Sequence, residues 1–301
     1  MIEGTEGREM QQLQERLTYS IANQEWVEDL GKKLQGAVKR GFYSSDMTRE
    51  VKDLLHGVWL GHPLHAAVTD VPIGAWTTAF LLDRIDSFSG HDMKGAASAS
   101  VAIGIGGALA SAATGLADWT ETGGFQRRVG MLHALTNSTA LSLFSISLWR
   151  RMRGDHSTGK LFGSMGFFTV LMGAYLGGDL VYRLGIQVDR NAWKRGPKQF
   201  TGIVSEAELL EDKPLKAEAA GVPIMLVRRG DRVFAINDIC AHAGCSLSKG
   251  QVVGDTIVCP CHGSTYRLED GGVVHGPAVY AQPHYETRIQ EGEVQVRVVP
   301  Q

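Results

Sequence analysis

Two short runs of cysteine and histidine near the C-terminus carry the most specific chemistry in this sequence. They are Cys240-Ala-His242 and Cys259-Pro-Cys261-His262, with sixteen residues between them, and all four cysteines of the chain lie here. Clustered cysteines of this kind are typical of a metal or redox site rather than of a disulfide scaffold. Two thiolates and two imidazoles bind either zinc or an iron-sulfur cluster, so the residue types alone leave both open.

Short alternating segments surround these runs and predict a small all-β domain over residues 200–301. Apolar and polar residues alternate in VPIMLVRRG, RVFAIND, DTIVCP and GEVQVRVV, and Gly, Asp and Asn turns separate these segments. Each Cys-His run follows one of the predicted strands. A rigid sheet would therefore hold the candidate ligands at a fixed separation.

The two runs resemble those of the Rieske family, which carries Cys-x-His in one loop and Cys-x-x-His in a second. The resemblance implies a 2Fe-2S cluster with two thiolates on one iron and two imidazoles on the other. The implied ligands are Cys240, His242, Cys259 and His262. Neutral imidazoles in place of thiolates lower the negative charge around such a cluster and raise its reduction potential.

Five further residues match positions that surround the cluster in the Rieske family. Cys245 and Cys261 match a pair that forms a disulfide between the two cluster loops in quinol-oxidising members. The resemblance implies that the hydroxyls of Ser264 and Tyr266 donate hydrogen bonds to a bridging sulfide and a ligand thiolate, and that Pro277 lies in a covering loop. Because all of these fit a single cluster site, the resemblance favours iron-sulfur over zinc.

The region before the β domain is strongly apolar and predicts four membrane-spanning helices. Runs with at most one formal charge extend over residues 64–82, 96–116, 131–149 and 161–178, each close to the roughly 20 residues that cross a bilayer. A soluble bundle is the alternative, although its helices would normally show a polar stripe. The excess of Lys and Arg on the side of the termini favours a cytoplasmic location for both.

The expected fold is multi-domain, with an all-α four-helix transmembrane bundle followed by the small all-β Rieske domain. The expected boundaries are a polar N-terminal helical segment (1–53), the membrane domain (54–184), a basic linker (185–199) and the Rieske domain (200–301). The N-terminal segment places Leu13, Leu17 and Ile21 at roughly helical spacing. It is interpreted as a solvated surface helix.

Ionisable residues at membrane depth are costly, so His65, Asp70 and His133 are candidate functional residues. With the Leu60–His65 run and Asp118-Trp119, they resemble a family of four-helix membrane domains of unknown function. Two histidines on facing helices would suit a b-type haem. The alternative, favoured because Asp179 stands where many relatives carry a third histidine, is a buried hydrogen-bonded group of His65, Asp70 and His133.

The sequence as a whole predicts a membrane-anchored carrier of single electrons. A quinol-oxidising oxidoreductase subunit and a redox-sensing membrane module are the alternatives, so enzymatic activity is left open. Ala243 argues against quinone docking, since quinol-oxidising relatives usually carry Leu there, and the closing run PHYETRIQEGEVQVR is similar to Rieske ferredoxins. The expected partners are the lipid bilayer and a redox protein or quinone, with homo-oligomers left open. A net charge of -2 gives no reason to expect nucleic acid.

Overall fold

The chain forms two compact units in a computed structural model that describes residues 16, 18–194 and 196–299. One unit contains the described residues up to Ser45 together with His65–Ile186. The other contains Asp46–Leu64 and the described residues from Gln187 onward. The second unit is therefore built from two separate segments of the sequence. Leu13 and Leu17 of the predicted N-terminal helix lie outside the described residues.

Long helices make up the first unit, and each of the four apolar runs lies inside one of them. The long helices among the described residues are α1 (Glu25–Phe42), α2 (Asp46–His56), α3 (Leu64–Phe88), α4 (Lys94–Trp119), α5 (Gly124–Met152) and α6 (His156–Gly178). Only α2 belongs to the second unit. A π-helical turn, Asp179–Arg183, continues α6. By length and composition, two of the described helical segments could cross a membrane, Lys94–Trp119 and His156–Arg183.

Small residues and one buried ion pair hold the helices of the first unit together. Trp76 stacks on Phe144 with ring centroids 4.1 Å apart, and Gly104 lies so close to the Trp76 indole that a side chain there would collide with it. Close helix contacts of this kind need glycine. Arg151 donates hydrogen bonds of 2.9 and 2.5 Å to the two carboxylate oxygens of Asp83, and both side chains are buried.

Helix α1 packs against this bundle. The Gln35 side-chain amide donates to the backbone carbonyls of Trp119 and Thr122, each at 2.9 Å, and Arg127 forms an ion pair with Glu28. Val27 is completely buried. Val27 of α1 is therefore covered by protein, whereas Ile21 of the predicted N-terminal helix is 46% exposed.

Two antiparallel sheets make up most of the second unit. The strands are β1 (Thr201–Ser205), β2 (Leu215–Ala219), β3 (Val222–Arg229), β4 (Arg232–Asn237), β5 (Gln251–Val253), β6 (Thr256–Val258), β7 (Thr265–Arg267), β8 (Val273–His275), β9 (His284–Gln290) and β10 (Glu293–Val298). The larger sheet has the order β1-β10-β9-β4-β3-β2 and the smaller one β5-β6-β7-β8. A helical region followed by a β-rich domain, as predicted, is confirmed.

The segment Asp46–Leu64 folds with the β sheets, a placement that the sequence did not indicate. Helix α2 ends at Gly57, whose φ of 87° lies in the left-handed region and whose N–H donates to the carbonyl of Asp53 at 3.2 Å. Glycine adopts this helix-ending conformation without strain. A 3-10 turn, Val58–Leu60, follows and contacts β8.

The predicted linker is also fixed on the second unit. Arg190 N–H donates to the carbonyl of Ala241 at 3.2 Å, and the side chain of Asn191 donates to the carbonyl of Ile239 at 2.7 Å. Asn191 is buried. The stretch between the last long helix and the sheet is thus anchored beside the first Cys-His loop.

Candidate metal centre

The first Cys-His loop follows strand β4 and is closed by two backbone hydrogen bonds. Cys240 N–H donates to the carbonyl of Cys245 at 2.8 Å, and Gly244 N–H donates to the carbonyl of Cys240 at 2.9 Å. Gly244 has a φ of 81°, which a residue with a side chain rarely adopts. This turn leaves Cys240 buried and His242 half-buried.

The second loop follows strand β6 and repeats the same construction. Cys259 N–H donates to the carbonyl of Ser264 at 2.8 Å, and Gly263 N–H donates to the carbonyl of Cys259 at 3.1 Å. Gly263 has a φ of 79°. In both loops the first cysteine bonds to the sixth residue and the fifth residue is a left-handed glycine. The two loops therefore present Cys240 and Cys259 in equivalent ways, although the histidine is the third residue of the first loop and the fourth residue of the second.

The two loops bring the candidate ligands together in like pairs, Cys240 with Cys259 and His242 with His262. Cys240 and Cys259 are 1% and 2% exposed, whereas His242 and His262 are half-buried, with ring centroids 4.9 Å apart. A disulfide joins Cys245 to Cys261, one residue from each loop. Two sulfurs therefore lie inside the unit and two imidazoles at its edge.

The surroundings of Cys240 favour a thiolate. Hydrogen bonds with Cys259, with the Tyr266 hydroxyl and with backbone N–H groups lower the pKa of Cys240 to about 6, although burial acts in the opposite direction. The hydrogen bond with Cys240 and burial raise the pKa of Cys259, so the first thiolate forms at Cys240. Burial and the charge of Cys240 raise the pKa of Tyr266 well above its usual value, so its hydroxyl remains a donor.

Two hydroxyl groups lie beside this donor set. The Tyr266 hydroxyl is 3.1 Å from Cys240 Sγ, and Tyr266 is fully buried. Ser264 is fully buried, and its hydroxyl oxygen accepts a hydrogen bond of 3.0 Å from Ala278 N–H. Pro277 is buried in the loop that ends at Ala278. The structure thus places the Tyr266 hydroxyl at Cys240, the Ser264 hydroxyl at Ala278 and a disulfide between the two ligand loops.

This donor set fits a 2Fe-2S cluster with mixed ligands. Buried sulfurs surrounded by N–H and O–H donors stabilise negative charge, which a reduced cluster carries. Half-buried imidazoles at the edge suit the second iron. Comparisons with known proteins agree, since the family model described as "Rieske [2Fe-2S] domain" matches residues 199–295.

The anthranilate 1,2-dioxygenase ferredoxin subunit of Burkholderia cepacia is 34% identical over 91 residues, which are 30% of this chain and 84% of that protein. The chain belongs to the Rieske family. The chloroplastic cytochrome b6-f complex iron-sulfur subunit of Pisum sativum is 39% identical over 88 residues, which are 28% of this chain and 37% of that protein.

Among solved structures, the ferredoxin of carbazole 1,9a-dioxygenase from Nocardioides aromaticivorans is 25% identical. The match covers 34% of this chain and all of that one, with a TM-score of 0.32. Upstream of the Rieske domain, residues 61–190 match the family model described as "Predicted membrane protein (DUF2231)". The chain therefore combines a Rieske domain with a domain of a predicted membrane family.

The structure brings together two of the three polar residues predicted in the helical unit. His65 lies on α3 and His133 on α5, with ring centroids 6.4 Å apart and ring planes at 82°. His65 Nδ1 is 2.9 Å from the carbonyl of Ser111, and His133 Nδ1 is 3.0 Å from the carbonyl of Gly173. Asp70 is exposed and lies outside this pair.

Sequence reasoning missed the residues that attach distant segments to the metal centre. Asp53 of α2 hydrogen-bonds to His275 and Gly276, next to Pro277. Asn191 donates to the Gln282 side chain as well as to Ile239, just before Cys240. These contacts join positions 48 to 223 residues apart, and no local pattern in the sequence indicates such pairings.

Proposed function

We propose that this chain is a membrane-anchored one-electron carrier whose Rieske domain binds a 2Fe-2S cluster. The proposed ligands are Cys240, His242, Cys259 and His262. The observation that carries the proposal is the repeated loop construction, which pairs Cys240 with Cys259 and His242 with His262. When bound, the cluster supplies reversible one-electron transfer at a potential raised by its imidazole ligands.

The buried and the half-buried residues of the site are proposed to have different roles. Cys240 and Cys259 are shielded from water, and the Tyr266 hydroxyl donates to Cys240, which stabilises added negative charge. His242 and His262 are half-buried, so electrons would enter and leave through the imidazole edge. The ring nitrogen that does not bind iron would exchange a proton with water, which couples electron transfer to proton release.

The first test is electron paramagnetic resonance with redox titration on the full chain, purified anaerobically in detergent. We expect about two irons per chain and, in the reduced protein, an average g value below that of all-cysteine clusters. Cys240→Ser and His262→Ala should abolish the signal. His284→Ala, on β9 of the six-stranded sheet, is the matched control and should retain it. Zinc or no metal in the pure protein would refute the proposal.

The membrane anchor is supported by the predicted membrane family of residues 61–190 and by the two apolar helical segments. We propose that α3, α4, α5 and α6 all span the bilayer and that both termini are cytoplasmic, in agreement with the Lys and Arg distribution. Resistance of the membrane-bound chain to carbonate extraction tests the anchor. Protease accessibility of a C-terminal tag in intact spheroplasts and in inverted vesicles tests the orientation, and cleavage in spheroplasts would contradict it.

The partner is proposed to be a redox protein. One similar protein is a ferredoxin subunit of a dioxygenase and another is the iron-sulfur subunit of a cytochrome complex. Both are named as subunits of redox assemblies, which supports a role in electron transfer to or from another protein. Quinol oxidation is the alternative. Rapid cluster reduction by a short-chain quinol would favour it, and Ala243→Leu would then increase the rate. A redox sensor would instead show a structural change on reduction without electron flux.

A second site is proposed in the helical unit, between His65 and His133. Each Nδ1 faces a backbone carbonyl and therefore carries the proton, which leaves Nε2 as the ligating nitrogen. The two ring centroids are 6.4 Å apart. Gly115 and Gly177 lie against the two rings and leave them room.

The interpretation that the sequence favours is a buried polar pair, and the Asn137 side-chain nitrogen lies 3.3 Å from both ring nitrogens of His133. The alternative proposal is that the pair holds a bis-histidine metal cofactor such as haem b. An optical spectrum of protein produced with ample haem decides between them. A Soret band that is lost in His65→Ala and His133→Ala, and kept in His91→Ala, supports the site. No Soret band in protein with a full cluster refutes it.

A further inference from the structure

Helix α2 supplies a carboxylate to the loop that covers the metal centre. Asp53 Oδ1 accepts a hydrogen bond of 2.8 Å from Gly276 N–H, and Asp53 Oδ2 lies 2.7 Å from His275 Nδ1. The Asp53 side chain is 17% exposed. Both carboxylate oxygens are therefore used to hold one end of this loop.

The loop lies directly against α2 at Gly276. A Cβ atom on Gly276 would be 3.2 Å from Val58 Cγ2 and 3.3 Å from both Asp53 Oδ1 and His56 Cδ2. Contacts this short are rarely tolerated without movement of the neighbours. Glycine therefore permits the close approach that the Asp53 hydrogen bond requires.

The other end of the loop is held at the centre itself. Ala278 N–H donates to Ser264 Oγ at 3.0 Å, and Pro277, Ala278 and Ser264 are all buried. Because the serine oxygen accepts this bond, its own proton is free to be donated in another direction. Only Pro277 separates the residue held by Asp53 from the residue that orients Ser264.

We infer that Asp53 is a positioning residue of the Rieske centre, which fixes the covering loop and thereby orients the Ser264 hydroxyl toward the cluster. The inference rests on the proposed function, because it assumes that a cluster binds beside Ser264. It also assigns a role in the centre to a helix that lies between the two segments of the helical unit in the sequence and would be omitted from a Rieske domain defined by residues 199–295.

Asp53 affects the cluster in two ways with opposite signs. Its negative charge disfavours the reduced, more negative cluster and so lowers the potential. Its hydrogen bond to Gly276 keeps Ser264 in place as a donor, which favours the reduced cluster and raises the potential. Asp53→Asn removes the charge but keeps an oxygen that accepts from Gly276. Asp53→Ala removes both.

The test is a mutant cycle on the full chain, read as the midpoint potential of the cluster. We expect a potential above wild type in Asp53→Asn, and a lower one in Asp53→Ala than in Asp53→Asn. In a Ser264→Ala background the difference between these two variants should vanish, because the group that the loop orients is gone. Glu50→Gln removes an exposed charge from the same helix. Added to each Asp53 variant, it should leave the difference in potential between Asp53→Asn and Asp53→Ala unchanged.

Hydrogen exchange of the peptide around Gly276 gives a readout that needs no cluster. Exchange in the cluster-free chain should be faster in Asp53→Ala and unchanged in Asp53→Asn. Equal potentials for the two variants, or a difference that persists without the Ser264 hydroxyl, would overturn the inference. If wild type binds no cluster, the proposed function fails, whereas unchanged exchange in Asp53→Ala would show that Asp53 does not hold the loop.

Discussion

Replacing Tyr266 by Phe removes one hydroxyl from the metal centre and little else. Tyr266 is fully buried, and its hydroxyl is 3.1 Å from Cys240 Sγ. Burial and the Cys240 charge raise the pKa of Tyr266, so the hydroxyl is protonated and donates at any physiological pH. The reduced cluster carries one more negative charge than the oxidised cluster and gains more from this donor. The substitution should therefore lower the reduction potential.

The size of the shift follows from the strength of such a bond. Hydrogen bonds to charged groups contribute about 1.5 to 3 kcal/mol, but only the difference between the two redox states changes the potential. If about half of the upper value is gained on reduction, the difference is about 1.5 kcal/mol, or about 65 mV for one electron. We expect Tyr266→Phe to lower the potential by about that amount.

Spectroscopic redox titration of the two proteins under identical conditions measures this shift. Tyr285→Phe is the matched control, because Tyr285 is also buried but belongs to the apolar core of the six-stranded sheet rather than to the core that contains both candidate cysteines. It should leave the potential within experimental error. An unchanged potential in Tyr266→Phe, or equal shifts in the two variants, would refute the assignment of Tyr266 as the donor to Cys240.

Three further substitutions test other contacts. Replacing Cys245 and Cys261 together by Ser should destabilise the fold by about 3 kcal/mol, because the disulfide closes a loop of about 16 residues; thermal loss of the cluster measures this. Burial raises the pKa of Asp189 in the folded protein. Ionisation of this carboxyl therefore destabilises the folded state, and the full loss of stability is reached above the raised pKa. Asp189→Asn should therefore raise the melting temperature at pH 7 and lose this advantage below the ordinary pKa of the carboxyl. Arg151→Met should destabilise the helical unit by about 3 to 5 kcal/mol, because it leaves Asp83 buried without its cation. Much of that stability should return when Asp83→Leu is added, measured as the thermal inactivation temperature in detergent.

Local sequence patterns predict the features that depend on local geometry. Uncharged runs of about 20 residues predict α3 to α6, because helix formation and burial in an apolar medium both depend on side chains within one segment. The Cys-x-His and Cys-x-x-His spacing indicates the ligand loops, because each is closed by hydrogen bonds between residues four or five positions apart. Similarity to the Rieske family adds Ser264 and Tyr266.

Contacts between distant segments are not indicated by any local sequence pattern. Asp53 and Gly276 are 223 residues apart, and Asp83 and Arg151 are 68 apart. In the sequence, Asp53 is one acid in a polar helix, where most carboxylates are solvated. Its partner is a backbone N–H, which every residue but proline carries. The linker likewise looks like a tether by composition, although Asn191 is buried beside the first ligand loop.

These distant contacts extend the structural unit of the Rieske domain beyond the residues that match the family. A fragment that begins where the family match begins, at residue 199, would contain all four candidate ligands and both hydroxyl donors. It would lack Asp53, Val58 and Asn191, so the covering loop would lose the bond at Gly276 and the first ligand loop would lose its support at Ile239. We therefore expect cluster binding and cluster tuning to depend on different parts of the sequence. The ligands lie within one stretch of 23 residues, whereas the contacts that hold the covering loop and the first ligand loop come from segments on both sides of residues 65–186.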